Sequence, residues 1–278
     1  MIPPSRPVRI GDRAFDGARL GVIAGPCVVE DPGLVLEVAA ELKRLTAARG
    51  LPFVFKSSYT KDNRSSAGSF RGHGMEEGLA ALARVRETLG VPVLSDVHLP
   101  AEVERAAEVL DALQVPAFLC RQTSLLEAVG GSGKPVNLKK GQFLAPGDMA
   151  KVVDKVRRAG GERVLVTERG ASFGYHNLVV DMRSFPILAA TGCPVVHDVT
   201  HSLQLPGSGT ETGGQREYAV PVARAAVAAG AHAVFFECHP DPDRALSDSS
   251  TQLPLAEVGS LLDELLRVWD AVHPGAAP

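Results

Sequence analysis

The sequence contains few aromatic residues and no strong excess of charge of either sign. Aromatic residues make up 5% of its 278 residues, and the formal net charge is −3. This balance gives no overall attraction to nucleic acid or to an anionic membrane surface, so an anionic ligand must be bound by a local cluster of Lys and Arg. A core built mainly from Ala, Val, Leu and Gly suits helices packed closely on a sheet more than an aromatic-rich sandwich.

Long apolar runs and closely paired cysteines are also absent. No run of about 18 apolar residues exists, which predicts that no helix spans a membrane. Residues 1–17 lack the apolar segment of a secretory signal. The four cysteines, Cys27, Cys120, Cys193 and Cys238, form no CxxC pair. We therefore expect reduced thiols in a cytoplasmic protein.

Eight short apolar segments recur along the chain, separated by segments with helical periodicity. Each strand candidate is continuously apolar and rich in β-branched or aromatic residues, as expected for strands that are covered on both faces. The strand candidates are residues 19–27, 52–58, 92–97, 113–119, 135–141, 163–170, 194–200 and 233–239. The helix candidates are residues 31–50, 74–90, 99–113, 145–161, 215–230 and 253–272.

The alternation of eight strands with helices predicts one closed (β/α)8 barrel, a TIM barrel, that takes up the whole chain, 1–278. A doubly wound open sheet is the alternative, but it offers no reason to stop at eight strands. Residues 1–18 are predicted to add a short β-hairpin that plugs the N-terminal mouth of the barrel. Residues 273–278 are predicted to form a loose tail.

Polar side chains stand at the carboxyl end of almost every predicted strand. One such residue would only mark the exit of the chain to solvent, but in a (β/α)8 barrel these ends converge at the mouth that carries the active site. Burying so many polar groups without partners would be costly. The residues are Cys27, Lys56, Asp96, Gln114, Lys139 with Lys140, Glu168 with Arg169, His197 with Asp198, and Glu237 with His239.

The loop after the second predicted strand is rich in cations and hydrogen-bond donors. It reads KSSYTKDNRSSAGSFRGHG and includes Lys61, Arg64 and Arg71. Such a loop suits a phosphate group, although composition alone favours a solvated basic loop. The phosphate interpretation gains weight because Lys139 and Arg169 leave neighbouring strands with the same charge. Two anionic groups at the two ends of one site would need about this many cations.

A second group of side chains has the chemistry of metal ligands. Period-two alternation puts Glu237 and His239 on one face of the last strand, the following loop contains Asp248, and His201 follows the seventh strand. Barrel closure makes these elements neighbours of Cys27, and Cys, His, Glu and Asp together suit a divalent metal ion. Each residue also has an ordinary structural explanation, and the dispersed spacing identifies no metal by itself.

Eight motifs between about residues 19 and 255 carry a resemblance to a known family. They are IAGPCVVE, FKSSYTKDNRSSAGSFRGHGMEEG, PVLSDVH, QVPAFLCRQT, PVNLKKGQF, TERGASFGYHNLVVDMRS, HDVTHSLQLPG and ECHPDPDRALSDSSTQLPL. Together they resemble the motifs of 3-deoxy-D-manno-octulosonate 8-phosphate synthase, also called 2-dehydro-3-deoxyphosphooctonate aldolase. The resemblance implies a homotetrameric (β/α)8 barrel and a transferase that condenses phosphoenolpyruvate with arabinose 5-phosphate and water. Its products are the octulosonate 8-phosphate, used for the inner core of lipopolysaccharide, and inorganic phosphate.

The resemblance also implies roles for individual residues. Catalytic roles fall to Lys56, Asp96, Lys139 and His201. The residues that match phosphoenolpyruvate contacts are Ser58, Lys61, Gln114, Lys139 and Arg169. Those that match sugar-phosphate contacts are Asn63, Arg64, Ser65, Asp96, Phe118 and Arg121, of which the last two belong to a loop that reaches the neighbouring subunit's site. Asp62 departs from the family, which usually has Ala there; this acid either lowers affinity for the sugar phosphate or points to solvent.

The family has metal-dependent and metal-independent forms, and the residue at position 27 distinguishes them. The independent form carries Asn where this chain has Cys27. All four positions that the resemblance implies as metal ligands carry competent donors, namely Cys27, His201, Glu237 and Asp248. We therefore expect the metal-dependent form, with Zn²⁺, Fe²⁺ or Mn²⁺ and an open position for water or the aldehyde oxygen.

Two other functions stay open at this point. The related synthase of the shikimate pathway, which uses erythrose 4-phosphate, shares the phosphoenolpyruvate cations and a similar metal set. Its sugar loop usually reads KPRTS, where this chain has NRSS. The second alternative is a barrel that senses sugar phosphates without turnover, against which the filled metal set and both cation clusters argue.

Overall fold

The computed structural model describes residues 5–63, 68–206 and 213–274. Its strands are β1 (Val8–Ile10), β2 (Arg13–Phe15), β3 (Gly21–Gly25), β4 (Phe53–Lys56), β5 (Val93–Asp96), β6 (Ala112–Val115), β7 (Val136–Lys139), β8 (Val164–Glu168), β9 (Val195–Asp198), β10 (Gln204–Leu205), β11 (Gly213–Gly214), β12 (Ala233–His239) and β13 (Leu253–Pro254). Its α-helices are α1 (Pro32–Ala47), α2 (Met75–Leu89), α3 (Val103–Val109), α4 (Thr123–Gly131), α5 (Met149–Arg158), α6 (Ser184–Ala189), α7 (Ala219–Ala228) and α8 (Val258–Val272).

Eight parallel strands close into a barrel, which confirms the predicted (β/α)8 fold. Strands β3 to β9 pair in chain order, and β12 pairs with both β3 and β9. The outward side chains of the strands and the inner faces of the helices form the larger apolar core, which includes Phe53, Phe185 and Trp269. Because both faces of each strand are covered, the strands are apolar along most of their length. Among the helices of the described residues, none is long and apolar enough to cross a membrane.

The starts and ends of the first two helices follow local capping chemistry. The Asp31 side chain accepts a hydrogen bond of 2.8 Å from the backbone N–H of Leu34, and Pro32 occupies the first turn of α1. Helix α2 ends at Leu89 and is capped by Gly90, whose φ of 61° lies in the left-handed region that glycine tolerates. Helix α1 ends at Ala47, before the predicted stop signal Gly50.

Two parts of the predicted pattern differ from the structure. The strand predicted over 113–119 ends at Val115, and a 3-10 turn follows at Ala117–Leu119. Pro116 has no backbone N–H to continue the strand pairing, which explains the early end. The prediction also missed two helices, α4 and α6. Helix α6 has only six residues and contains Pro186, so it is too short to show helical periodicity.

The N-terminal hairpin closes the amino end of the barrel, as predicted. Strands β1 and β2 are antiparallel, with Val8 opposite Phe15. Gly21 leaves room for this plug, because a Cβ atom there would lie 2.5 Å from the Phe15 ring. The hairpin side chains Val8, Ile10 and Phe15 form a second apolar cluster with the inward side chains Ile23, Val54, Leu94, Ala112, Leu165, Val196, Ala233 and Phe235. This apolar layer fills the half of the barrel interior next to the amino ends of the strands. The inward polar side chains lie at the opposite mouth.

His197 lies in the helix-facing layer and not in the site that its position at a strand end suggested. Its side chain is fully buried and contacts the Phe185 ring edge-on at 5.7 Å between ring centroids. Neither ring nitrogen has a hydrogen-bond partner among the described residues. Burial lowers the pKa of His197 to about 4, so the imidazole stays neutral.

Replacing His197 with Phe is expected to stabilise the protein, because it removes two buried polar atoms that have no partner. We expect a gain of about 1–3 kcal/mol in the free energy of unfolding at pH 7. As the pH falls from 6.5 towards 4, the unfolded histidine takes up a proton that the folded one does not, so wild type loses stability. Urea unfolding at pH 7 and pH 5 measures this effect, and the advantage of His197→Phe should widen by about 2 kcal/mol at pH 5. An advantage that does not depend on pH would contradict a neutral buried His197.

Candidate active site

The carboxyl ends of the barrel strands surround a cavity. Its walls come from strands β4, β5 and β7 and from the segments that follow β4, β5, β6, β7, β8 and β9. Eight residues predicted for the site line it: Lys56, Lys61, Asn63, Asp96, Phe118, Lys139, Arg169 and His201. His98, Pro116, Ala117 and Gln142 complete the wall. Of the residues predicted at strand ends, Lys56, Asp96, Lys139 and Arg169 therefore line one pocket.

Two buried cations point into this cavity with donors for an anion. The Lys139 ammonium donates a 2.7 Å hydrogen bond to Asp198 Oδ2 and lies 3.8 Å from the centroid of the Phe235 ring. The Arg169 guanidinium donates to Gln204 Oε1 at 2.6 Å, while its buried Nη1 has no hydrogen-bond partner among the described residues. Burial lowers the pKa of both side chains. An incoming anion would therefore relieve an electrostatic cost that the protein already bears.

A second network links Lys56 to the carboxylates around it. Its ammonium lies 2.9 Å from Glu237 Oε1 and 3.5 Å from Asp96 Oδ2, and it donates to Ser58 Oγ at 3.0 Å. The Ser58 hydroxyl in turn donates to Asp96 Oδ2 at 2.6 Å. Burial alone would raise the pKa of Asp96. The positive charges of Lys56, Lys61 and Lys139 outweigh this effect and lower the pKa well below its ordinary value. Asp96 is thus held as a carboxylate at the wall of the cavity.

Three of the four predicted metal ligands meet beside this network, and the fourth, His201, lies next to the two acids among them. The donor atoms of Cys27, Glu237 and Asp248 all lie within 4.8 Å of one another. His201 Nε2 lies 3.6 Å from Glu237 Oε1 and 3.9 Å from Asp248 Oδ2. Burial and then the neighbouring acids Asp248 and Glu237 raise the pKa of the Cys27 thiol. Glu237 Oε2 is buried without a hydrogen-bond partner among the described residues. Sulfur, nitrogen and oxygen donors in this arrangement suit a borderline divalent ion such as Zn²⁺.

The structure also shows what holds this ligand set in place. Asp198 Oδ1 bonds His201 Nδ1 at 2.9 Å, which turns Nε2 of that ring towards the other ligands. Ser247 Oγ lies 2.8 Å from Cys27 Sγ. Asp248 has a φ of 49°, a left-handed conformation that turns the loop after β12 back towards Cys27. Local sequence carries no clear signal for these contacts, since Ser and Asp are common in loops.

The predicted sugar-phosphate residues are only partly brought together. Asn63 and Phe118 line the cavity, and Phe118 is 55% exposed. Arg121 lies elsewhere in this chain and lines a separate groove together with Leu144, Asp148, Lys151, Val152 and Lys155. Arg64 and Ser65 lie outside the described residues. Asp62 does not line the cavity; it forms an exposed ion pair with Arg71 of the same loop, which balances its charge.

Sequence reasoning missed two polar side chains inside the barrel, Asn137 and Thr167. Both are fully buried, and each belongs to a hydrogen-bond chain that ends on Asp96. The signal was available for Asn137, because period-two alternation places it on the same inward face as Lys139. Gln114 is fully buried within this chain, between Asn137 and Asp96.

Comparison with known proteins places the chain in a family. A model of the DAHP synthetase I family matches residues 5–270. A protein of Syntrophobacter fumaroxidans named 2-dehydro-3-deoxyphosphooctonate aldolase is 59% identical over 256 residues, which cover 92% of this chain and 89% of that protein. A protein of the same name from Syntrophotalea carbinolica is 52% identical over 270 residues, which cover 96% and 97% of the two chains. The chain therefore belongs to the DAHP synthetase I family, within the group of enzymes named 2-dehydro-3-deoxyphosphooctonate aldolase.

Proposed function

We propose that the protein condenses phosphoenolpyruvate with D-arabinose 5-phosphate and water. The products are 3-deoxy-D-manno-octulosonate 8-phosphate and inorganic phosphate, and the reaction serves the synthesis of the lipopolysaccharide inner core. The observation that carries the proposal is the placement of two buried cations, Lys139 and Arg169, and a carboxylate, Asp96, around one cavity. The names of the relatives favour this reaction over the erythrose 4-phosphate alternative.

In this reaction the protein has to hold two anions and stabilise charge as it moves. Carbon 3 of phosphoenolpyruvate attacks the aldehyde carbon, water adds at carbon 2, and cleavage of the C–O bond releases phosphate. Lys139 and Arg169 are placed to neutralise the phosphate and carboxylate of phosphoenolpyruvate, and Asp96 to accept hydrogen bonds from sugar hydroxyls. Lys56, held between Asp96 and Glu237, is placed to stabilise oxygen anions that form at the reacting carbons.

We further propose that Cys27, His201, Glu237 and Asp248 hold a divalent ion, Zn²⁺, Fe²⁺ or Mn²⁺. The unpartnered Glu237 Oε2 and the mixed S, N and O donor set support this assignment. Bound there, such an ion supplies positive charge that polarises a bound water or an aldehyde oxygen.

We also propose that the protein forms a homotetramer in the cytoplasm. Its partners are its small-molecule substrates, and neither nucleic acid nor a membrane is among them. The exposed Phe118 at the rim of the cavity, and Arg121 on a separate groove of the same chain, support a role for these residues at a neighbouring subunit. Analytical ultracentrifugation of the purified protein measures the assembly, and a monomer at micromolar concentration would contradict it.

A phosphate-release assay tests the reaction. The protein is mixed with phosphoenolpyruvate and either arabinose 5-phosphate or erythrose 4-phosphate, with and without a chelator. Turnover with arabinose 5-phosphate is expected. Turnover with erythrose 4-phosphate alone would identify the related synthase, and binding without any phosphate release would identify a sensor.

Replacing Arg64 with Ala is expected to raise the KM for arabinose 5-phosphate far more than the KM for phosphoenolpyruvate. The reason is that the planar guanidinium offers a phosphate two hydrogen bonds, so its loss should cost about 10- to 100-fold. Arg64→Lys should recover only part of the loss, because an ammonium lacks the fork geometry. Steady-state kinetics with each substrate varied in turn measure the split. An equal rise in both KM values would show that the loop is not dedicated to the sugar phosphate.

A further inference from the structure

An unbroken chain of side-chain hydrogen bonds crosses four neighbouring strands inside the barrel. The Thr167 hydroxyl donates to Asn137 Oδ1 at 2.7 Å, and Asn137 Nδ2 donates to Gln114 Oε1 at 2.8 Å. Gln114 Nε2 then donates to Asp96 Oδ1 at 2.7 Å. Thr167, Asn137 and Gln114 are completely buried, while Asp96 is 7% exposed at the wall of the cavity. We refer to these four residues as the relay.

The register of the barrel explains how the relay forms. Asp96 on β5 lies opposite Gln114 on β6, and Gln114 lies opposite Asn137 on β7. All three side chains therefore point inward at the same height. Thr167 on β8 lies opposite Lys139, two residues further along β7 than Asn137, so its hydroxyl reaches Asn137 diagonally. The relay lies between the cavity, which Asp96 and Lys139 line, and the apolar layer that includes Leu165.

All donors in the relay point the same way, towards Asp96. Each amide in it accepts through its oxygen and donates through its nitrogen, and a carboxylate can only accept. If the Gln114 amide turned over, its oxygen would face Asp96 Oδ1, and two acceptors would repel each other. The Asn137 amide prevents this by donating to Gln114 Oε1, and the Thr167 hydroxyl pairs the remaining oxygen of Asn137. In a buried network, each of these hydrogen bonds contributes more free energy than at the surface, because water cannot replace a lost partner.

We propose that Asn137 and Thr167 are positioning residues that act on the sugar substrate through Gln114 and Asp96. They hold the Asp96 carboxylate in one orientation, with Oδ1 bonded to Gln114 and Oδ2 bonded to Ser58. A carboxylate fixed in this way presents the same acceptor geometry to every incoming sugar. Sugar binding then pays no entropy cost for ordering the Asp96 side chain. This inference rests on the proposed function, since it assigns the fixed carboxylate to arabinose 5-phosphate.

Thr167→Val tests the relay, because valine keeps the shape of threonine and removes only the hydroxyl. The Asn137 oxygen then lacks its donor, and Asp96 loses its fixed orientation. We expect the KM for arabinose 5-phosphate to rise by about 5- to 10-fold. Gln114, predicted from the sequence as a phosphoenolpyruvate contact, is fully buried and does not line the cavity, so the dissociation constant of phosphoenolpyruvate, measured by calorimetry without sugar, should change less than about twofold. Thr167→Ser restores the donor and should restore the KM.

Thr46→Val is the matched control for loss of a buried hydroxyl. Thr46 is 1% exposed on α1, and its hydroxyl donates to Leu42 O at 2.7 Å, far from the cavity. We expect this variant to melt at a temperature similar to that of Thr167→Val and to keep wild-type KM values. A similar rise in sugar KM in both variants would overturn the proposal, and so would an unchanged sugar KM in Thr167→Val.

Crystal structures of the two variants separate failure of the relay from failure of the proposed function. The proposal expects the Asp96 carboxylate to turn or become disordered in Thr167→Val and to stay in place in Thr46→Val. An Asp96 that stays in place in both variants would overturn it, whatever the enzyme turns over. A wild-type enzyme that shows no turnover with arabinose 5-phosphate would instead refute the proposed function.

Discussion

Removing divalent metal is expected to abolish phosphate release by the wild-type protein, and adding one equivalent of a divalent ion per site should restore it. The basis is the meeting of Cys27, Glu237 and Asp248 within 4.8 Å, with His201 Nε2 3.6 Å from the Glu237 carboxylate. Loss of the ion would leave the buried Glu237 carboxylate beside the partly buried Asp248 carboxylate, with Lys56 and Lys61 paired to Glu237. Elemental analysis of the chelated protein must accompany the activity measurement.

Cys27→Asn is the sharper test of the same site. Cys27 Sγ lies 3.1 Å from Asp248 Oδ2 and 2.8 Å from Ser247 Oγ. An asparagine amide has a nitrogen that can donate to the carboxylate and an oxygen that can accept from the hydroxyl. An asparagine at position 27 can therefore link the loop after β12 to the end of β3 by hydrogen bonds, without an ion. We expect this variant to retain measurable activity in chelator, where wild type has none.

Cys27→Ser and Cys238→Ala complete this experiment. Serine offers a neutral hydroxyl in place of a thiolate, so the affinity for Zn²⁺, measured by competition with a chromophoric chelator, should fall by more than about 100-fold. Cys238 is fully buried on the other face of β12, away from the ligands, and its replacement should leave metal affinity unchanged. Full turnover by wild-type protein shown to be free of metal would contradict the assignment, and Cys27 would then be a core thiol.

Most of the fold was predictable because parallel strands covered on both faces leave a simple pattern of apolar segments. The errors occurred where that pattern is locally ambiguous. Residues 113–119 are continuously apolar apart from Gln114 and Pro116, yet the proline ends the pairing of β6 and starts a 3-10 turn. Helix α6 escaped prediction because six residues span less than two turns, so periodicity cannot show.

The candidate site was predictable to the extent that it depends on strand ends. Barrel closure brings those ends together, so the sequence alone places Lys56, Asp96 and Lys139 in one pocket. His197 was also counted among them, but period-two alternation turns it outward while its neighbour Asp198 faces the pocket. Side chains that act by holding others carry a weaker signal, because their role depends on the register between strands.

Loop conformation is the other part that sequence could not provide. The contact between Cys27 and Ser247 exists because the loop after β12 turns back at Asp248, whose φ is 49°. Neither the length of that loop nor its composition specifies this turn. The ion pair between Asp62 and Arg71 is similar, since two residues nine positions apart meet only when the loop after β4 folds on itself.

Replacing Arg169 with Ala is expected to weaken the binding of phosphoenolpyruvate by about 10- to 100-fold when it is measured without sugar. Arg169 is 4% exposed, burial lowers its pKa, and its Nη1 has no hydrogen-bond partner among the described residues. The free protein therefore already bears the cost of desolvating this cation and leaves one donor unused. An anion that reaches Nη1 gains a charge-assisted hydrogen bond at little further cost.

Isothermal titration with phosphoenolpyruvate measures the effect, and Arg157→Ala is its matched control. Arg157 is also partly buried, but it donates hydrogen bonds to Thr191 O at 3.0 Å and to Cys193 Sγ. These two acceptors lie just before the start of β9, at the opposite mouth of the barrel. Its loss should leave the affinity for phosphoenolpyruvate unchanged. Arg169→Lys should recover part of the affinity, since lysine restores the positive charge but cannot donate two parallel hydrogen bonds to one anion. If Arg169→Ala binds phosphoenolpyruvate as tightly as wild type, Arg169 does not touch this substrate, and its unused donor must serve the sugar phosphate or an ordered water.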